Sequence, residues 1–208
     1  MIRPFHLFYI TDRTQIKSTT LEASIAQAIA AGVDWVQIRE KDLPARSLLA
    51  VTETAVSQAR QHGTTRVLVN DRLDVALAAH AHGVHLSTHS MPVDLVRKLA
   101  PPEFLVGVSC HSLAAAQAAE KAGADYLLLG PIFSTPSKLQ YGPPLGLATL
   151  RRVTSEVSIP VIALGGINAD RVAACGENGA AGTAAIRLFQ EADSLQTLVD
   201  SLRVMVAG

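Results

Sequence analysis

The sequence predicts an α/β fold, a single-domain (β/α)8 TIM barrel, and three observations predict it. Short apolar runs alternate with longer segments of helical spacing along the chain. Most of these runs are continuous rather than alternating, as strands of a parallel sheet covered on both faces must be. Several helical segments end at a Gly just before the next apolar run, which closes the helix and turns the chain back into the sheet.

In order, the strands are expected at Leu7–Thr11, Trp35–Arg39, Arg66–Asn70, Gly83–Leu86, Leu105–Ser109, Tyr126–Gly130, Pro160–Leu164 and Gly182–Ile186. Leu21–Ala31 has helical spacing and runs into Gly32, one turn before the second strand. Ala45–Gln61 leads to the third strand, and a helix beginning near Leu73 leads to the fourth. Leu113–Ala122 ends at Gly123 before the sixth strand, and a helix starting near Asn168 ends at Gly179 before the eighth. Residues 132–146, rich in Pro and Gly, read as a functional loop after the sixth strand. A doubly wound open sheet is the rival. It fits less well, because there are eight strands and no Gly-x-Gly-x-x-Gly after the first.

Composition bounds the function. The 208 residues, 49% of them hydrophobic, suffice for one large core. A net charge of zero supplies no basic field for nucleic acid. No apolar run approaches the roughly 18 residues of a membrane helix, and the N-terminus lacks the apolar core of a signal peptide. Two cysteines, Cys110 and Cys175, are too few for a disulfide framework. A cytoplasmic protein is expected. Only 17% of residues are charged, so part of the surface could be covered in a homo-oligomer.

Barrel enzymes work at the C-terminal ends of their strands, and the polar residues there form the candidate site. Gln37 and Arg39 lie two apart and face one side; an inward Arg must be paired or meet an anion. Pyrophosphate suits its planar fork, with Lys41 in the loop beyond; an Arg39–Glu40 structural network is the bland alternative. Asn70-Asp71 could cap the helix near Leu73, or Asp71 could hold Mg²⁺ on phosphate oxygens. His111 beside Ser109 could be a general acid/base, or a helix-start histidine bonded to its own loop. His80, His82, His85 and His89 share no common face and read as surface and core histidines rather than a metal site. Cys110 reads as a small buried apolar residue. Gly165-Gly166 before a helix, with Gly182 and Lys138, point to a phosphate cradled by backbone N–H groups.

These residues resemble the family of thiamine phosphate synthases and their TenI relatives. The likeness rests on ordered motifs. They include Gln37-x-Arg39-x-Lys41, Asn70-Asp71-Arg72, Gly83-Val84-His85-Leu86, Gly107-Val108-Ser109, Thr135-x-Ser137-Lys138 and Ala163-Leu164-Gly165-Gly166-Ile167. The resemblance implies an enzyme joining hydroxymethylpyrimidine pyrophosphate to hydroxyethylthiazole phosphate, with release of pyrophosphate. It implies that Gln37, Arg39, Lys41, Asn70, Ser109 and Lys138 surround the pyrimidine and pyrophosphate. It gives Asp71 to Mg²⁺, and Thr135, Ser137, Gly166 and the Ile186 region to the thiazole phosphate.

Two positions depart from the synthase pattern. Ser90 stands where the family has a second Mg²⁺-binding Asp, and Arg187 where it has a phosphate-binding Ser. Asp94, one turn beyond Ser90, is a possible substitute. TenI-type relatives isomerise a thiazole carboxylate phosphate without metal, a reaction in which His111 would move the proton. Against that reading stands the complete Gln37, Arg39, Lys41 set, which a reaction without pyrophosphate does not need. A non-catalytic protein binding a thiamine precursor is the third reading, motivated by the missing Asp.

Overall fold

The computed structural model describes residues 5–63, 65–135 and 143–207, apart from the side chain of residue 207. Eight parallel strands close into a barrel in chain order: β1 (His6–Ile10), β2 (Trp35–Ile38), β3 (Arg66–Asn70), β4 (Gly83–Leu86), β5 (Leu105–Cys110), β6 (Tyr126–Leu129), β7 (Val161–Leu164) and β8 (Gly182–Ala185). The helices between them are α1 (Leu21–Ala30), α2 (Ala45–His62), α3 (Leu73–Ala78), α4 (Val93–Leu99), α5 (Leu113–Lys121), α6 (Gly146–Glu156) and α7 (Ala169–Glu177). A short α8 (Arg187–Gln190) and a final α9 (Leu195–Ala207) follow β8. The expected (β/α)8 barrel is thus the fold, and the open sheet is ruled out because β8 pairs with β1 from His6↔Gly182 to Tyr9↔Ala185.

Continuous apolar strands serve two cores. Residues of one parity point inward: Phe8, Ile10, Trp35, Leu68, Tyr126, Leu128, Ile162 and Ala184 fill the barrel. The others, among them Leu7, Val36, Val67, Val84, Val106, Leu127 and Ala163, pack beneath the helices. Aromatic rings plug the N-terminal half of the interior, with Trp35 4.7 Å from Tyr126 and 5.4 Å from Phe8 between centroids. Edge-on packing of this kind suits the ring quadrupoles. The plug leaves the polar residues to the other end. On the N-terminal face, Arg203 of α9 donates to the Phe5 and Gly32 carbonyls and to Asp34, whose carboxylate also accepts from the Leu7 N–H.

The helix starts follow their caps. Thr20 accepts from Ala23 N at 3.2 Å to open α1, and Ser112 does the same from Ala115 N at 3.2 Å for α5. Several boundaries move by a residue. Thr11, Arg39, Gly130 and Ile186 fall just outside their strands, while Cys110 stays inside β5. At Arg39 the reason is visible: its N–H leaves the ladder and donates to the Thr11 hydroxyl at 3.0 Å.

Candidate active site

The site is built at the C-terminal ends of β2 to β5, beginning from a clamp that locks the first two strand ends. Thr11 is fully buried, and its hydroxyl donates to Glu40 at 2.6 Å while accepting from the Arg39 N–H. Glu40 also takes the Arg13 N–H at 3.1 Å and the Arg13 guanidinium at 3.1 Å. Arg13 completes a fork onto Asp42 at 2.6 Å for both bonds. The alternative Arg39–Glu40 network does not form among the described residues, because Arg13 takes its place. Arg39 is left half-buried, with no hydrogen bond from its guanidinium among the described residues, and its field reaches Asp12 and His85. Lys41 is exposed in the loop after β2.

From Gln37 a chain of hydrogen bonds crosses to Asp71. Gln37 Nε2 donates to Asn70 Oδ1 at 2.9 Å, and Asn70 Nδ2 donates to Asp71 Oδ2 at 2.9 Å. A carboxylate only accepts, so it fixes the Asn70 amide, which in turn fixes Gln37. The result is a Gln37 Oε1 that is buried and unpartnered. A buried acceptor without a donor is costly, and this one lies at the C-terminal end of β2 with its acceptor capacity unused.

Asp71 does not cap α3; the residue before that helix is Arg72, which makes no side-chain cap bond. Instead Asp71 adopts φ +60, a left-handed conformation that Asp tolerates better than most residues. Its Oδ1 accepts from the Ser90 hydroxyl and, at 3.3 Å, from the Ser87 N–H. Ser87 and Ser90 are themselves joined, with Ser87 N–H donating to Ser90 Oγ at 2.6 Å. Burial acts to raise the Asp71 pKa, but bonds from Ser90, Ser87 and Asn70 outweigh it and hold the carboxyl below its ordinary value. Ser90 therefore stands directly against the Asp71 carboxylate. Asp94 is exposed on α4, and no cluster of three or more His, Cys, Asp or Glu occurs among the described residues.

Ser109 is where strand parity puts it, half-buried at the inner mouth of β5. Its partner was missed: the ring of His85, 2% exposed, brings Nε2 within 2.8 Å of Ser109 Oγ and Nδ1 within 3.1 Å of Tyr126 Oη. Burial pushes the His85 pKa down to about 3, with opposing effects from Asp71 and Arg39, so the ring is neutral. The signal was present in Gly83-Val84-His85-Leu86, where His85 shares the parity of inward Gly83 rather than of outward Val84. His111 lies exposed just past the end of β5, its Nδ1 on the Gly130 carbonyl. It is bonded to the end of β6 and not to its own loop. Cys110 is buried as expected, and burial raises its thiol pKa to about 11.

On the opposite side of the mouth, Gly165 and Gly166 have φ +96 and +65. A Cβ on Gly165 would lie 2.6 Å from Pro131, and one on Gly166 would lie 2.6 Å from the Ser134 carbonyl. The pair is therefore Gly because the β6 loop packs directly on it, with Phe133 N–H donating to the Gly165 carbonyl at 3.0 Å. Thr135 on that loop is buried and lies 3.4 Å from Arg187 Nη2. Arg187 is exposed at the start of α8, next to half-buried Ile186. Ser137 and Lys138 lie outside the described residues.

Comparison with known proteins agrees with this arrangement. The family model described as thiamine monophosphate synthase matches residues 7–189. The thiamine-phosphate synthase of Methanoculleus marisnigri is 40% identical over 98% of this chain and 96% of its own length. That of Syntrophomonas wolfei subsp. wolfei is 36% identical over 96% and 95%. The solved structure of thiamine phosphate pyrophosphorylase from Pyrococcus furiosus superposes with a TM-score of 0.88 at 34% identity, covering 99% of this chain and 96% of that one. A barrel with these residues at its mouth, matched along almost its whole length, belongs to the thiamine monophosphate synthase family.

Proposed function

We propose that the protein is a transferase that couples hydroxymethylpyrimidine pyrophosphate with hydroxyethylthiazole phosphate to give thiamine phosphate and pyrophosphate. The observation that carries the proposal is the ordered row Gln37–Asn70–Asp71, which leaves Gln37 Oε1 buried and open two residues before Arg39, whose guanidinium has no hydrogen-bond partner among the described residues. An amino group on a pyrimidine supplies the missing donor, and a pyrophosphate supplies the missing anion.

In the reaction the bond from the pyrimidine methylene carbon to the pyrophosphate oxygen breaks. The thiazole nitrogen then gives its lone pair to that carbon. Negative charge grows on the departing pyrophosphate, so cations fixed before the reaction stabilise the transition state more than the ground state. Arg39, held by the Thr11–Glu40 clamp, is the first of these, and Lys41 and Lys138 are the others. Ser109 meets the pyrimidine side. Thr135, Ser137, Gly165, Gly166, Ile186 and Arg187 take the thiazole phosphate, with Arg187 adding a charge where the family has a Ser.

Asp71 fits a Mg²⁺ ion: one carboxylate with hydroxyls beside it, the remaining sites going to water and phosphate oxygens, is a common donor set for that ion. Bound there, the ion supplies further neutralisation of the leaving pyrophosphate. The tautomerase reading depends on His111, whose Nδ1 is committed to the Gly130 carbonyl; Ser90 in place of a second carboxylate is in its favour, and the complete Gln37, Arg39, Lys41 set stands against it.

Incubation of the purified protein with both substrates and Mg²⁺ is expected to yield thiamine phosphate and pyrophosphate in equal amounts. Arg39→Ala is expected to lower kcat/KM by about 10²–10³-fold, the usual loss for one transition-state charge contact. Absence of product, or a normal rate in Arg39→Ala, would overturn the assignment.

A further inference from the structure

We infer that Tyr126 and His85 form a buried relay that holds the Ser109 hydroxyl as a hydrogen-bond donor toward the substrate cavity. The inference rests on the reading above that Ser109 meets substrate. Tyr126 and His85 are positioning residues, since neither reaches the mouth: Tyr126 is fully buried and His85 nearly so.

Accounting for hydrogens carries the argument. Tyr126 Oη has one partner among the described residues, His85 Nδ1 at 3.1 Å, and His85 Nε2 has one, Ser109 Oγ at 2.8 Å. A neutral imidazole donates from one nitrogen and accepts at the other. If Nδ1 carried the proton, Tyr126 Oη would accept it and its own hydrogen would be stranded in an apolar interior. If Nε2 carries it, Tyr126 donates to Nδ1 and His85 donates to Ser109, so every buried hydrogen is paired. Ser109 Oγ then already accepts one bond. Its own hydrogen is free to turn outward, and the hydroxyl is biased to donate to whatever lies above it.

Gly107 shows that the relay is built into the barrel. A Cβ there would lie 1.9 Å from Tyr126 Cζ and 2.3 Å from its oxygen, so the ring crosses directly over this residue. Tyr126 comes from β6 and His85 from β4, and the gap at Gly107 on β5 lets them meet. A Phe at 126 would fill the same space without the donor.

Two readouts test the relay. The imidazole ¹⁵N resonances, with His85 assigned by its loss in His85→Gln, are expected to show a bare Nδ1 and a protonated Nε2 in the native protein. A protonated Nδ1 would overturn the proposal. This measurement needs no turnover, so it stands apart from any failure of the synthase assignment. The second readout is a double-mutant cycle. Tyr126→Phe is expected to lower kcat/KM about tenfold in the native background and less than about twofold in Ser109→Ala, because residues acting through one group are not additive. The same cycle is run on affinity for the pyrimidine pyrophosphate, which also needs no turnover. Equal losses in both backgrounds would mean that Tyr126 acts other than through Ser109, and the relay would be wrong.

Discussion

Ser90 touches the Asp71 carboxylate, the group proposed above to hold Mg²⁺. Its hydroxyl donates to Asp71 Oδ1 and accepts from the Ser87 N–H at 2.6 Å. Asp71 thus has a neutral hydroxyl against it where two adjacent carboxylates would repel one another without a cation. A single carboxylate binds Mg²⁺ more weakly and depends more on the phosphate oxygens of the substrate. Ser90→Asp is therefore expected to lower the Mg²⁺ concentration for half-maximal activity by about tenfold, one charge contact at short range. Titration of activity against Mg²⁺ in the two proteins measures it. An unchanged midpoint would show that Asp71 is not the ion's ligand. Sequence alone marked the substitution but not its consequence. The Asp71–Ser90 contact spans two loops and needs the left-handed turn at Asp71, for which the motif Asn70-Asp71-Arg72 carries no cue.

At the scale of elements, the ends of β1 and β2 are locked by side chains after their ladder bonds stop. Thr11 and Glu40 are both buried, and the Thr11 hydroxyl bridges Glu40 and the Arg39 N–H. Replacing Glu40 by Ala leaves a buried hydroxyl and the Arg13 N–H without their acceptor. A loss of about 2 kcal/mol in stability is expected from unpairing the Thr11 hydroxyl. The KM for the pyrimidine pyrophosphate is expected to rise as well, since Arg39 loses its fixed root. Urea unfolding and steady-state kinetics on Glu40→Ala measure the two effects, and a KM equal to the native value would show that the clamp does not hold Arg39. The strands and several Gly-terminated helices were legible because continuous apolar runs and Gly32, Gly123 and Gly179 are local signals; all three glycines take positive φ. The clamp was not legible, since it joins residues 29 positions apart through side chains. Of the two readings of Arg39, the network with Glu40 gives way to Arg13, which no local pattern connects to Glu40. His85 was hidden for another reason. Its strand is fully buried, so its polarity looked incidental until barrel closure set it beside Ser109 and Tyr126.

For the whole molecule, the same burial that makes the barrel a closed scaffold makes it sensitive to acid. His85 sits among interior residues, while His6 and His82 are partly buried at the other end, His6 stacked on Trp35 at 4.8 Å and His82 accepting from the Val67 N–H at 3.0 Å. Burial lowers the pKa of all three below 6.5, that of His85 to about 3. Between the folded and unfolded values the unfolded chain binds protons that the folded barrel excludes. Stability therefore rises with pH through this window, is complete above about 6.5, and falls as pH drops below it. His85 contributes up to about 1.4 kcal/mol per pH unit there, and the partly exposed pair adds less. Asp12 and Asp71 do not confuse the measurement, because their carboxyls are held below 3.8 and are lost only at lower pH. Urea unfolding at about pH 7.5 and about pH 5.5 is expected to show a loss of at least about 1 kcal/mol. In His85→Gln the difference between the two pH values is expected to shrink, since Gln keeps a donor facing Ser109 but has no proton to gain. Equal stability of the native protein at both pH values would mean that the folded barrel takes up the same protons as the unfolded chain between them, so that burial does not hold His85 neutral.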